Sequence, residues 1–344
     1  MNTVEAINAL ARRKNVFKTS DVIRILGGNV SRQFVSRILR NLVSEGQLVK
    51  GGSTKSAIYA LPQNATFLRI GTRKRLLNKN LKEHEVWENL KEQTPLINNL
   101  PENIQSILDY AFTEMLNNAI EHSHSDYIEV GLKEESRFIR FIVNDFGIGV
   151  FRSVMKKRKL HSELEALQDL LKGKVTTQPQ SHSGEGIFFT SKVADIFILE
   201  SFDLRLRIDN TISDIFVEEL KPKKNGTRVI FSISKESIKH LINIFQKYQS
   251  TKDTYAFDKT EVHVRLYTMG TIYISRSQAR RILAGLEKFK LVILDFDRVP
   301  TIGQAFADEV FRVFRNLHPE IEIRPIHLNE AVRFMIERVE HEKL

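Results

Sequence analysis

The chain is 344 residues long and carries 52 Lys+Arg against 42 Asp+Glu, a formal net charge of +10, and that length implies two or three cores rather than one. It contains no cysteine, which excludes disulfides, thiolate metal sites and a cysteine nucleophile and fits a reducing compartment. No apolar run approaches a membrane span and the opening MNTVEAINALARRKN lacks the order of a secretory signal, so a cytoplasmic protein without membrane contact is expected.

The basicity is local. Residues 1–80 hold 15 Lys+Arg and 3 Asp+Glu, a net of +12, which leaves −2 for the other 264. Such an excess points to an anionic partner, most often nucleic acid, with a merely solvated basic face as the alternative. VEAINALARR predicts a helix, TSDVIRIL a second one capped by Thr19 or Ser20, and NVSRQFVSRILRNLVSEG a longer third. QLVKGGSTKSAIYALP is two short alternating runs around Gly51-Gly52, a hairpin signal. This order resembles the winged helix-turn-helix family, and residues 1–62 are assigned to it. The third helix would present Arg32, Gln33, Ser36, Arg37 and Arg40 to DNA while Phe34, Val35, Ile38, Leu39 and Leu42 turn largely to the core. Lys50 and Lys55 would add the wing. Used instead for protein contacts, the same fold would leave that basic face in water.

Residues 63–100 read as a basic linker and lead-in. RIGTRKRLLNK carries five bases and no acid, as either a charged connector or a hinge touching DNA backbone. His84-Glu85 ahead of Thr94-Pro95 invites comparison with the phosphoacceptor helix of sensor histidine kinases. The Pro is too far from the His, and the next helix follows too soon for a long dimerisation hairpin.

From 101 to about 250 a helix (ENIQSILDYAFTEMLNNAIEHS) precedes two alternating strands (YIEVGLKE, RFIRFIVND), a long polar and helical insertion, a helix (GIFFTSKVAD) and strands ending in GTRVIFSI. Strands in succession with few crossover helices argue for α+β layering. On the first helix Leu108, Ala111, Phe112, Met115 and Ala119 recur as a core stripe, and Glu114, Asn118 and Glu121 recur on another side. Asp145, Gly147 and Gly149 (NDFGIGV) follow a strand; Gly184 and Gly186 (HSGEGIF) open a helix; Gly226-Thr227 begins a late strand. Each is weak alone, but four in this order are specific.

Here the chain resembles the GHKL ATPases, the superfamily of gyrase, a heat-shock chaperone, mismatch-repair ATPases, histidine kinases and anti-sigma-factor kinases. The resemblance covers about 150 residues and implies an ATP-binding (Bergerat) α/β sandwich over 101–250. Glu114 and Asn118 match its N-box, Asp145, Gly147 and Gly149 its first glycine box, Gly184 and Gly186 its second, and Thr227 its late Gly-Thr. The implied roles suit the residue types. Asn118 offers a hard neutral oxygen to Mg²⁺, and Asp145, assisted by Thr227 through water, accepts from the adenine amino group of ATP. The glycines let backbone approach the nucleotide, and the amides after Gly186 favour an anion. Glu114 would orient or deprotonate the nucleophile. MKKRKLHSELEALQDLLKGKVTTQPQSHS reads as the ATP lid, a charged mobile loop for most of its length.

Residues 251–344 have an α/β rhythm: strand LVILDF, helix AFADEVFRVFRNL, strand IEIRPI, helix NEAVRFMIERVE. They resemble STAS-like domains appended to ATPases of this type. In the related anti-sigma-factor antagonists a serine at the start of the helix after the LDF strand accepts phosphate; this chain has Gly303, Gln304 and Ala305 there, with Thr301 the nearest hydroxyl. A mute interaction domain is therefore expected. The whole reads as a multidomain α+β, bacterial-type regulator in which ATP and Mg²⁺ control DNA binding by the winged helix and protein-partner binding by the STAS-like domain. The alternatives are an anti-sigma-type serine/threonine kinase whose winged helix docks proteins, and a scaffold that binds nucleotide without chemistry. Family resemblance also makes a homodimer an option.

Overall fold

Two separate apolar clusters organise the chain, one drawn from Ile7 to Tyr59 and one running without a break from Val86 to Val339. The computed structural model describes residues 3–28, 30–51, 57–67, 71–135, 137–174, 185–250, 257–267 and 275–341. Lys55 and Gly184, both assigned site roles above, lie outside them.

In the first cluster α1 (Thr3–Arg13), α2 (Thr19–Ile25) and α3 (Arg32–Ser44) pack on a small antiparallel sheet ordered β1 (Phe17–Lys18), β3 (Ile58–Ala60), β2 (Val49–Gly51). Thr19 is the first residue of α2 rather than its cap. Asp21 instead accepts from the Lys18 amide at 2.9 Å, closing the first turn. Ser31 caps α3 by accepting from the Phe34 amide at 3.2 Å. The buried stripe of α3 is Val35, Leu39 and Leu42, spaced four and three. Phe34 lies about 100° around the helix from Val35 and is 38% exposed, with the Arg37 guanidinium over its ring. The expectation that Phe34 turns to the core is thereby corrected.

The second cluster begins with β4 (Gly71–Leu77), so the stretch expected as a basic connector is the edge strand of a five-stranded antiparallel sheet. Its charge has a structural use: Arg73 and Arg75 are exposed, and charge on an edge strand blocks edge-to-edge pairing. The sheet order is β4, β5 (Tyr127–Glu135), β6 (Phe138–Asp145), β8 (Asp214–Ser234), β7 (Ile196–Asp209). One face is covered by α4 (Glu83–Glu92), α5 (Glu102–His122), α8 (Gly186–Val193) and α9 (Leu241–Lys247). Trp87 of α4 stacks on Phe112 of α5 at 4.6 Å, and Phe112 meets Phe141 of β6 edge-on at 5.4 Å.

The polar, helical insertion contains two helices, α6 (Val150–Arg158) and α7 (Glu163–Lys172); residues 175–184 lie outside the described set. Six residues of α7 are buried, including Gln168, Asp169 and Lys172.

The last unit has a parallel sheet ordered β11 (Glu322–Ile326), β10 (Leu291–Asp295), β9 (Lys259–His263). Pro325, which has no amide hydrogen to give, sits on edge strand β11. Helix α10 (Arg276–Leu283) and α13 (Glu330–His341) pack about a continuous helix made of α11 (Gln304–Ala307), a π-helical stretch Asp308–Phe314 and α12 (Arg315–Leu317). The architecture is thus multidomain α+β. No helix among the described residues is long and apolar enough to cross a membrane.

Candidate functional site

Strand β6 ends at Asp145, and the chain turns at once through Phe146, Gly147 and Ile148 into α6. Asp145 is 4% exposed, and its Oδ1 accepts from the amides of Gly147 and Thr227, both at 3.0 Å. One carboxylate oxygen therefore pins the turn after β6 to the distant Gly226-Thr227 segment of β8. Burial pushes the Asp145 carboxyl up from its usual value, against the lowering effect of those amides. Lys224 donates from Nζ to the Asp145 carbonyl at 2.7 Å. The Thr227 hydroxyl accepts from the Val150 amide at 3.0 Å, holding the first turn of α6.

Two glycines make this packing possible. A Cβ on Gly147 would fall 1.7 Å from the Ser123 carbonyl oxygen. Gly226 has φ +76°, and a Cβ there would stand 2.4 Å from Asp145 Oδ1. Gly149, the cap of α6, also lies against β8, its carbons beside Ser201 of β7 and Gly226.

The Ile148 amide donates to the Ser123 carbonyl at 3.0 Å, fastening the glycine turn to the end of α5. Leu108, Ala111, Phe112, Met115 and Ala119 form the buried stripe of α5, as the spacing predicts. Glu114 and Asn118 are half-buried on its other side. Asn118 sits five residues before Ser123, roughly 7 Å along the axis. Its Nδ2 is buried with no hydrogen-bond partner among the described residues. An orphaned buried amide costs about 1–3 kcal/mol, and because its oxygen and nitrogen interchange on a flip the position suits a donor or a cation. One turn earlier, Glu114 faces the start of α8: a Cβ on Gly186 would lie 2.2 Å from Glu114 Oε2. Burial first, then the Glu114 and Glu185 carboxylates, keep the neighbouring Tyr110 phenol protonated. Glu114, Asn118, Asp145, Gly147, Gly149, Gly186 and Thr227 thus lie on four adjoining elements.

On α3, Arg32, Gln33, Arg37 and Arg40 are exposed and Ser36 half-buried; Lys50 on β2 is also exposed. Arg32, Arg37, Arg40 and Lys50 form no ion pair with any described residue, in contrast to Arg24, which pairs with Asp21.

Helix α7 is fastened to the last unit through polar bonds. Lys172 Nζ donates to the carbonyls of Arg281 and Ala284, each at 2.8 Å, and Gln168 Nε2 donates to the Leu266 carbonyl at 2.7 Å. Tyr267 donates to the Gln168 carbonyl at 3.1 Å, and Thr260 to the Lys172 carbonyl at 2.6 Å. Asp214, at the head of β8, pairs with Arg265 and Arg298, which hold its carboxyl down to about 2. Residues 278–333 match the family model of a STAS-like domain of unknown function (DUF4325). No curated protein matches the chain. In this STAS-like domain Gly303 caps the helix beginning at Gln304, and Thr301 is half-buried in the preceding loop. Sequence reasoning passed over β9; the alternation in KTEVH was its one signal, and Glu261 and His263 on it are taken up below.

Proposed function

We propose that the chain is an ATP- and Mg²⁺-dependent regulator: its central sheet and helices are a GHKL-type ATPase domain, its first sixty residues a winged helix that binds DNA, and its STAS-like domain a partner-binding module. The observation that carries the reading is the buried Asp145 carboxylate, whose Oδ1 is fixed by the Gly147 and Thr227 amides. Two separate sequence motifs, the first glycine box and the late Gly-Thr, meet at this one side chain. With Oδ1 occupied, Oδ2 is the oxygen that accepts from the exocyclic amino group of adenine. Burial makes such a bond strong, since a charge in a low-dielectric site gains most from a donor.

Asn118 suits a hard cation through its oxygen, since flipping the amide puts Oδ1 at the buried position now held by the orphaned Nδ2. When bound there, Mg²⁺ supplies charge neutralisation to the phosphates. Glu114, against the Gly186 end of α8, orients a water and takes its proton. The result is slow hydrolysis. Because α7 is bonded to α10 and β9 of the STAS-like domain, a change in the lid on nucleotide binding is felt there directly.

Three arginines on the exposed side of α3 that form no ion pair among the described residues support the DNA reading. Gel retardation of duplex DNA with and without ATP, at several salt concentrations, tests it. The reading predicts retardation that weakens steeply with salt and changes with ATP; binding absent at low salt would turn the winged helix into a protein-docking module, as the kinase alternative requires.

A further inference from the structure

Outside the ATP site, the carboxyl edge of the parallel sheet gathers four metal-ligating side chains from three strands. In register, His263 ends β9 opposite Asp295, which ends β10 opposite Ile326; His327 is the next residue after β11. Asp295 is 6% exposed and accepts from both imidazoles: Oδ2 is 2.8 Å from His263 Nδ1 and Oδ1 is 2.7 Å from His327 Nδ1. The Asp297 amide donates to Oδ1 at 2.9 Å and fixes the carboxylate further. His327 orients the carboxylate through Oδ1, while His263 Nδ1 and Asp295 Oδ2 stand close enough to share an ion once the Nδ1 proton is lost.

Glu261 precedes His263 by two on β9 and so shares its face. Its Oε1 lies 4.0 Å from His263 Nε2, beyond hydrogen-bond reach, and no described residue donates a hydrogen bond to that carboxylate. One donor atom each from Glu261, His263 and Asp295 fall within 4.8 Å of one another. Ligand bonds of about 2.0–2.2 Å put tetrahedral neighbours roughly 3.4 Å apart, so a spread of 4.8 Å closes with shifts of about 1.4 Å. The Arg298 guanidinium is committed to Asp214 and Asp297. His327 is held at φ +54°, a left-handed conformation that a non-glycine residue adopts at a cost.

We propose that Glu261, His263 and Asp295 bind one divalent transition-metal ion of the zinc class at this sheet edge, with His327 holding the Asp295 carboxylate from outside. Imidazole nitrogen with carboxylate oxygen selects zinc-class ions over magnesium. The proposal is independent of nucleotide binding.

The test uses the full chain without an affinity tag, freed of metal by chelator and titrated calorimetrically with zinc chloride in the absence of nucleotide. One zinc per chain is expected, unaffected by millimolar-range magnesium. His263→Gln should weaken binding more than about 100-fold, and His327→Gln by about 10- to 100-fold. Glu261→Gln keeps the side-chain shape and guards against a variant that fails to fold; it should lose at least about 10-fold. Absence of saturable zinc binding, or unaltered affinity in folded Glu261→Gln and His263→Gln chains, would overturn the proposal and leave a hydrogen-bonded His-Asp-His network.

Discussion

Replacing Asp145 with asparagine separates the structural role of that side chain from its proposed recognition of adenine. Asn retains an Oδ1 acceptor for the Gly147 and Thr227 amides, both at 3.0 Å in the wild type. It also removes a charge whose burial is unfavourable, as the raised carboxyl pKa of this 4%-exposed residue indicates. Unfolding stability should therefore stay within about 1 kcal/mol of wild type or rise. Asp145→Ala, by contrast, orphans two buried amides at about 1–3 kcal/mol each and should lose roughly 2–6 kcal/mol. For ATP the order reverses. Asp145→Asn exchanges a charged acceptor for an NH₂ group facing the adenine NH₂, forfeiting about 1.5–3 kcal/mol, or roughly 10- to 150-fold in affinity. Urea unfolding paired with calorimetric ATP titration reads both quantities. An Asp145→Asn chain that is stable and binds ATP within about threefold of wild type (under 1 kcal/mol) would refute adenine recognition by this residue.

Glu114→Ala should bind Mg-ATP normally and hydrolyse it about 10²- to 10⁴-fold more slowly, measured as phosphate release; wild-type turnover would remove Glu114 from the chemistry. Asn118→Ala should weaken ATP binding when Mg²⁺ is present and leave metal-free binding unchanged, a difference visible in paired titrations. Lys172 is held down to about 8 from 10.5 by burial. Between those values the unfolded chain binds the extra proton, so stability should rise with pH across this window by up to about 3 kcal/mol. Lys172→Met should flatten the rise in pH-dependent urea unfolding whatever its own offset. Arg37→Ala and Arg40→Ala should each reduce the slope of log affinity against log salt for DNA by about 1, and unchanged slopes would exclude them as phosphate contacts.

The parts legible in the sequence were those with strict local rules. The α5 stripe followed helical spacing and is buried as spaced. The hairpin around Gly51 and the parallel sheet containing LVILDF appeared as their alternating and apolar runs required. Other parts depended on partners far along the chain. RIGTRKRLL was read by its charge, yet Gly71–Leu77 pairs with β5 as an edge strand, a position where charge and period-two alternation coexist. Helix α7 falls in the stretch read as a mostly mobile charged lid, yet Gln168 and Lys172 on it donate to carbonyls about a hundred positions later. Phe34 was misplaced because apolar character outweighed its angle on α3. Of the two bonds on Asp145 Oδ1, the one from Thr227 spans 82 residues and has no local signature. The motifs located the carboxylate, and only the fold shows which oxygen is taken.

The most direct test is a titration of the wild-type full chain with ATP, and in parallel with ITP, which carries a carbonyl oxygen in place of the adenine amino group, each with Mg²⁺. The account predicts one saturable ATP site per chain and ITP binding weaker by about 10-fold or more, the worth of a charge-assisted bond to Asp145. No ATP binding, or equal affinity for the two nucleotides, would contradict it.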